Sequence, residues 1–573
     1  MKVRQFGVLY REFLFRLVDR DVLSIGAQGD ASKLLGRLAA ILLLIGIPFA
    51  FSALGIGDSR ESQQVKFVAA WGAEHALIAT TMLIVGLFAV LSWDSAYPDR
   101  RDAMVLGPLP IRASTIFLSK IVSLAVALSL TVAIFNAPSA VVLPIALAPR
   151  EATPLDWLVS LQFYRALAAY WITMFISGAF VFCAVLVVQG VAAQLPRRLF
   201  LRLSAILQLA AFCIFLAGYF LEPSLASRDA IAAPANRLLL LWLPSYWFLG
   251  LFQQCNGSLA DGSTRPILLE LAARAWIGFG AMTIAAACTF LLSYFRTLRK
   301  IVEQPDIVPG SRRFHWLPSF GNSMATAITQ FSVRSLIRSR QHRVLLSFYS
   351  GIGFAVVILF LKTPVARHFA ATSAGDPWHR VNTPLLASSF VMLCAWILGT
   401  RVVFAIPLEL RANWIFRITQ VQPAAEYFAA SRRAAYALAL APAWCTSAVL
   451  FFSLWPWPQA LGHLAVLVLL GTTIVECWLY SFRKVPFTCS YLPGKSNLHI
   501  TFLLCLLLGL NATLWSADWE RRALADLPKY LWIVAVLGML AALAWLRRAR
   551  EHRVNEDVRF EEDMPPAITS LGL

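Results

Sequence analysis

Leu492-Pro-Gly-Lys-Ser496 carries the Gly-Lys-Ser end of a phosphate-cradling loop. In such a loop glycine lets backbone amides close around a nucleotide's phosphates while the lysine reaches them. The motif also needs a glycine five residues before Gly494, where Cys489 stands, and a strand leading into it. Neither is present, so the segment reads as a polar turn that opens a helix. The eight histidines are scattered. No Ser-His-Asp set, paired carboxylates or histidine cluster gathers in one compartment, which leaves a membrane-embedded transferase as the least supported alternative. Cys183, Cys213, Cys255, Cys288, Cys394, Cys445, Cys477, Cys489 and Cys505 lie mostly inside apolar runs without metal-ligand spacing. They read as small core hydrophobes, and neither a disulfide nor a metal is expected.

Three ionisable residues do fall inside apolar runs: Glu74 and His75, and Glu476 within Thr473-Ile-Val-Glu-Cys-Trp478. An ionisable group in hydrocarbon is costly and marks either a structural pairing or a functional site. For Glu476 two readings stand, a pairing with a nearby arginine or a protonated carboxyl inside the bundle, and proton coupling. Trp93, Trp242, Trp247, Trp455 and Trp457 sit near the ends of apolar runs, where aromatic side chains anchor helices at the membrane interface.

The elements that must carry these groups follow from composition. Apolar residues make up 59% of the chain, charged residues 14%, and mean hydropathy is +0.67, more apolar side chain than a soluble domain of this length buries. The runs are about 18 to 25 residues long, the length that crosses a bilayer as helix, and they lack the alternation of barrel strands. The expected fold is all-α, a bundle of about twelve spans near residues 34–56, 73–95, 115–136, 168–193, 200–221, 274–295, 344–361, 384–406, 435–455, 459–480, 499–515 and 529–547. The stretches 137–148 and 238–252 contain Pro138, Pro144 and Pro244 and are expected not to span. The net charge of +19 is spread among the junctions rather than gathered on one domain, which excludes nucleic-acid binding and fits membrane topology. Most of the lysines and arginines fall on one side if both termini are cytoplasmic.

Residues 1–33 lack a cleavable signal; Phe6, Leu9, Tyr10, Phe13, Leu14 and Leu17 recur on one helical face, with Arg11, Arg16 and Arg20 as a rim. That pattern predicts an amphipathic helix at the membrane surface. Met324, Ile328 and Phe331 with Arg334, Arg338 and Arg340 form a weaker copy. The proline-rich segment 301–323 separates them, so a first half over 1–300 and a second over 324–573 are expected, each with a lead-in helix and six spans. The connection 222–273 is long and external in this reading, whereas its counterpart near 516–528 is brief.

Each half also carries a polar hairpin between its second and third spans. The first runs from Tyr97 to Lys120, with a short helix over Arg101 to Leu106, a Gly107-Pro-Leu-Pro110 corner and a new helix capped by Ser114. The second runs from Glu409 to Arg433. Asp102, Leu106, Leu109-Pro110-Ile111 and Lys120 resemble the cytoplasmic hairpin of the permease subunits of type 2 ABC exporters. The lead-in helix, six spans per half and the broken stretch before the sixth span are also similar to that family. The second hairpin departs from it, with Leu408-Glu-Leu-Arg-Ala-Asn-Trp-Ile-Phe-Arg417 in place of the pattern and Pro423 without a neighbouring leucine.

The resemblance implies a fused transmembrane domain in a prokaryotic plasma membrane, exporting a substrate with two copies of a separate ABC ATPase. The chain itself would hold no cofactor, ATP and Mg²⁺ residing on that partner. It further implies that Asp99, Arg101, Asp102, Leu109, Pro110 and Lys120, and Glu409, Arg411, Asn413, Trp414 and Pro423, receive the ATPase's push. A secondary transporter of the major facilitator type is the alternative, because Asp99-Arg100-Arg101 is similar to its loop; the glycines which that loop requires are absent.

Overall fold

The computed structural model describes residues 2–18, 31–57, 63–97, 106, 108–148, 154–259, 264–303, 323–362, 381–406, 424–479, 487 and 498–551. Among these the regular elements are all helices, with no strand. Where no water reaches the backbone, a helix satisfies every amide and carbonyl within its own segment. Among the described residues, eight helices are long and apolar enough to cross a membrane, or up to ten if each of two bent pairs is one span. This is the fold of a multi-pass membrane protein, and the described residues do not by themselves give the expected count of twelve spans. Two of the other expected spans fall on the helices Ala31–Gly57 and Arg197–Leu221, 27 and 25 residues long, about 40 and 37 Å at helical rise against roughly 30 Å of hydrocarbon. The span expected at 344–361 is one arm of a bent pair.

Contacts divide the chain into two compact units, Met1–Ser311 and Arg312–Leu573. The first holds α1 (Lys2–Val18), α2 (Ala31–Gly57), α3 (Gln63–Leu91), α4 (Ala113–Ala146), α5 (Leu161–Gln194), α6 (Arg197–Leu221), α7 (Arg237–Trp242), α8 (Pro244–Asn256) and α9 (Arg265–Glu303). In α1, Leu9, Phe13 and Leu17 are buried and Val8 and Arg11 exposed, a seam of one residue every four that packs on α4. The residues 137–148 are not a separate stretch. Up to Ala146 they complete α4, which runs unbroken through Pro138 and Pro144 for 34 residues. Neighbouring groups support this end: the Trp157 indole donates to Pro144 O at 2.9 Å. Asn136 donates to Thr81 Oγ1 at 3.1 Å and accepts from the Tyr170 hydroxyl at 2.9 Å. The helix is capped two residues earlier than expected, at Arg112, and Ser114 lies exposed in its first turn. The stretch around 238–252 is broken as expected: Pro234–Trp242 and Pro244–Asn256 meet at 98°, because Pro244 cannot continue the preceding helix.

The second unit holds α10 (Ser323–Arg338), α11 (Arg340–Lys362), α12 (Thr383–Phe404), α13 (Ala424–Ala435), α14 (Ala441–Leu454), α15 (Trp457–Leu479), α16 (Leu498–Ala523) and α17 (Leu527–Glu551). A π-helical turn, Tyr436–Leu440, joins α13 to α14. Lead-in helix α10 packs on α13, the helix after the second hairpin, as α1 packs on α4 after the first. The first spans differ: α2 packs chiefly on α4, whereas α11 packs chiefly on α12. Residues 516–523, expected outside the bundle, continue α16 as helix.

Two sets of side chains sit elsewhere than expected. Cys213, Cys288, Cys394, Cys445 and Cys477 are exposed on the helix surfaces rather than in the core. In a lipid solvent a thiol on the outer face meets the same apolar surroundings as one inside, so the run alone does not fix its side. Trp93 and Trp455 are buried, whereas Trp242 and Trp457 are 80% and 69% exposed. The latter two suit interfacial anchors, and Trp247 is half-buried.

Candidate functional site

The first hairpin leaves the bundle through a base where side chains from neighbouring helices answer several backbone carbonyls. A helix ends with four carbonyls that lack intrahelical donors. At the end of α3 and the short helix Trp93–Ala96, three helices supply donors. Gln208 of α6 donates to Val90 O at 2.8 Å, Gln189 of α5 to Trp93 O, and Lys120 of α4 to Tyr97 O at 2.7 Å. The Trp93 indole in turn donates to Ser204 Oγ at 3.0 Å. Lys120 is buried, and its ammonium lies 5.2 Å from the centre of the Phe13 ring, so one side chain joins both ends of the hairpin to α1. Tyr97, Phe117, Phe290 and Tyr294 stack beside it, with centroids 4.9 to 5.7 Å apart.

Lys120 is thus buried inside the hairpin's base. Leu109 and Pro110 are exposed, on a turn closed by Leu109 N to Leu106 O at 3.2 Å and Ile111 N to Leu109 O at 2.7 Å. Asp99, Arg101 and Asp102, and all of Glu409, Arg411, Asn413, Trp414 and Pro423, lie outside the described residues.

The three intramembrane candidates are each built into a junction. Glu476 of α15 accepts from the Tyr436 hydroxyl at 2.7 Å, and Arg432 of α13 stands 4.0 Å from the same oxygen. The pairing with an arginine is thus present, and it ties the helix after the second hairpin to the bundle. Glu74 of α3 accepts from Gln253 of α8, whose own oxygen accepts from Ser258 at 2.6 Å. His75 lies 3.2 Å from Glu222, which also accepts from Ser245, and its ring stacks on Tyr246 at 4.1 Å. Tyr246 donates to Pro223 O at 2.7 Å. Glu74 and His75 together lock the second arm of the bent pair onto the second span.

One constellation escaped the sequence. Ser389 of α12, His463 of α15 and Glu520 of α16 meet, with Ser389 Oγ 2.8 Å from His463 Nε2 and Glu520 Oε1 2.8 Å from His463 Nδ1. All three side chains are buried. They are separated by 74 and 57 residues along the chain, so spacing could not pair them. The available signal was His463 inside an apolar run, together with Glu520, which reads as external only if α16 ends early. Gln189 and Gln208 carried a similar signal as polar side chains within apolar runs.

Comparison with family models, with curated proteins and with solved structures finds no match to this chain.

Proposed function

We propose that this chain is the transmembrane permease subunit of an ATP-driven exporter, multi-pass in a prokaryotic plasma membrane with both termini cytoplasmic. Hydrolysis takes place in a separate ABC ATPase, bound in two copies, one beneath each hairpin. The observation that carries the reading is the base of the first hairpin. A force applied at the exposed Leu109-Pro110 turn reaches α1, α3, α4, α5 and α6 through Lys120, Gln189, Gln208 and the aromatic stack, a rigid junction of the kind that turns a local push into a rigid-body shift. Two further features support it: the lead-in helix packed on the helix after the hairpin in each unit, and the bent apolar pair before the last long helix of the first unit.

The test is purification of the full chain from its native membrane in mild detergent. The expected result is a co-purifying ATP-hydrolysing subunit, lost in Leu109→Asp while the thermal unfolding of the permease is unchanged. An intact chain that carries no ATPase, and Leu109→Asp cells that retain wild-type export, would overturn the reading in favour of a secondary transporter.

A further inference from the structure

The Ser389–His463–Glu520 chain takes no part in the hairpin mechanism, and its hydrogen-bond arithmetic is constrained. Ser389 Oγ lies 2.7 Å from Leu386 O as well as 2.8 Å from His463 Nε2. A carbonyl only accepts, so when the hydroxyl donates to Leu386 O, Nε2 must carry a proton and donate to Oγ. Nδ1 and Glu520 Oε1 then face each other at 2.8 Å, and two bare lone pairs at that distance would repel. One further proton must lie between them, on Nδ1 or on the carboxyl. The pair is then neutral overall, which suits its surroundings: Phe451, Phe390 and Trp455 close around the imidazole with ring centroids at 4.7, 5.7 and 6.1 Å. Glu520 Oε2 is buried without a hydrogen-bond partner among the described residues.

We propose that Ser389, His463 and Glu520 form a proton-binding site in which one exchangeable proton sets the direction of the Ser389 hydroxyl. On release the Nε2–H bond breaks and the proton passes to water. The proton shared between Nδ1 and Glu520 Oε1 stays on Nδ1, or moves to it from the carboxyl as the O–H bond breaks, and Nδ1 then donates to the Glu520 carboxylate. The Ser389 O–H bond stays intact and turns from Leu386 O to the bare Nε2. Occupied, the site is neutral; empty, it holds one negative charge within an aromatic cage, where an uncompensated charge is strongly disfavoured. Proton occupancy therefore controls how tightly α12, α15 and α16 pack.

The other titratable groups on the packed elements do not replace this proton. Tyr530 of α17 donates to Gly462 O at 3.0 Å. Arg521 and Arg522 both bond Asp518, and Lys529 bonds Asp526 at 2.8 Å. Arg401 of α12 and Glu476 of α15, with Arg432 and Tyr436 beside it, lie about 18 to 20 Å along their helices from Ser389 and His463. Cys394 and Cys445 are exposed on other faces of α12 and α14. An ATP-driven permease does not require a proton site, so this inference stands apart from the proposed function.

The experiment is ¹⁵N NMR of histidine ring nitrogens in the full chain in lipid nanodiscs, with His463 assigned by its loss in His463→Gln. At neutral pH the expected spectrum has Nε2 of His463 protonated, and raising the pH converts it to the Nδ1–H tautomer. Glu520→Gln should abolish the conversion, and Ser389→Ala should shift its midpoint while the fold remains intact. A wild-type His463 that already has a bare Nε2 at neutral pH, or a conversion unchanged in Glu520→Gln, would overturn the proposal.

Discussion

Lys120→Met isolates the stiffness of the hairpin's base from its chemistry, because methionine keeps the length of the side chain and removes its charge and donors. In the wild type the buried ammonium donates to Tyr97 O at 2.7 Å and faces the Phe13 ring at 5.2 Å. Leaving a buried carbonyl without a donor costs about 1–3 kcal/mol, and losing the cation–π contact a further ~0.5–2 kcal/mol. Part of this is offset because no charge need then be desolvated. A net loss of ~2 kcal/mol raises the population of the open hairpin base by about 30-fold. Hydrogen–deuterium exchange reads that population directly when opening is fast and reversible. Peptides covering 97–120 should exchange about 30-fold faster in Lys120→Met, whereas those covering the buried face of α9 near Leu268–Ala275 should not change. Lys120→Arg, which keeps a donor, should retain most of the protection. Exchange of 97–120 within about threefold of wild type, less than ~0.7 kcal/mol, would refute the assignment of Lys120 as the clamp.

Two further substitutions probe the junctions elsewhere. A Cβ on Gly250 would stand 2.7 Å from Leu268 O, 2.8 Å from Leu271 Cβ and 2.9 Å from Ala272 N, so α8 and α9 touch through backbone that cannot yield. Gly250→Val should destabilise by about 1–3 kcal/mol or more and lower the monodisperse fraction in size-exclusion chromatography, whereas Gly278→Ala, which meets the movable Trp247 ring at 3.1 Å, should be tolerated. At the second hairpin, Tyr436→Phe removes the 2.7 Å bond to buried Glu476 and should lower stability by ~1–2 kcal/mol in thermal unfolding. Arg432→Ala breaks a 4.0 Å contact at a side chain that is 27% exposed and should cost less, about 1 kcal/mol at most. The reverse order would show that the arginine, not the tyrosine, holds Glu476.

Features that depend on a residue's near neighbours were legible in the sequence. The period of Leu9, Phe13 and Leu17 gave α1, and the cost of Glu476 in hydrocarbon raised an arginine pairing as one of its readings. Proline gave the break before Pro244 but misled at Pro138 and Pro144, because whether a helix survives a proline depends on which groups from other helices reach its end. Trp157 does so here, donating to Pro144 O. The burial of Lys120 was not legible either, since a lysine at the start of an apolar run serves equally well outside or inside, and only the approach of Phe13 and Tyr97 O shows it.

The sequence by itself determined that this is an all-helical membrane protein with polar hairpins between apolar runs, because hydrocarbon admits few charges and backbone hydrogen bonding must be satisfied within each segment. Tertiary structure alone decided which helix ends are clamped and which polar side chains meet. Ser389, His463 and Glu520 come from three helices, and their chemistry depends on distances that no local pattern encodes.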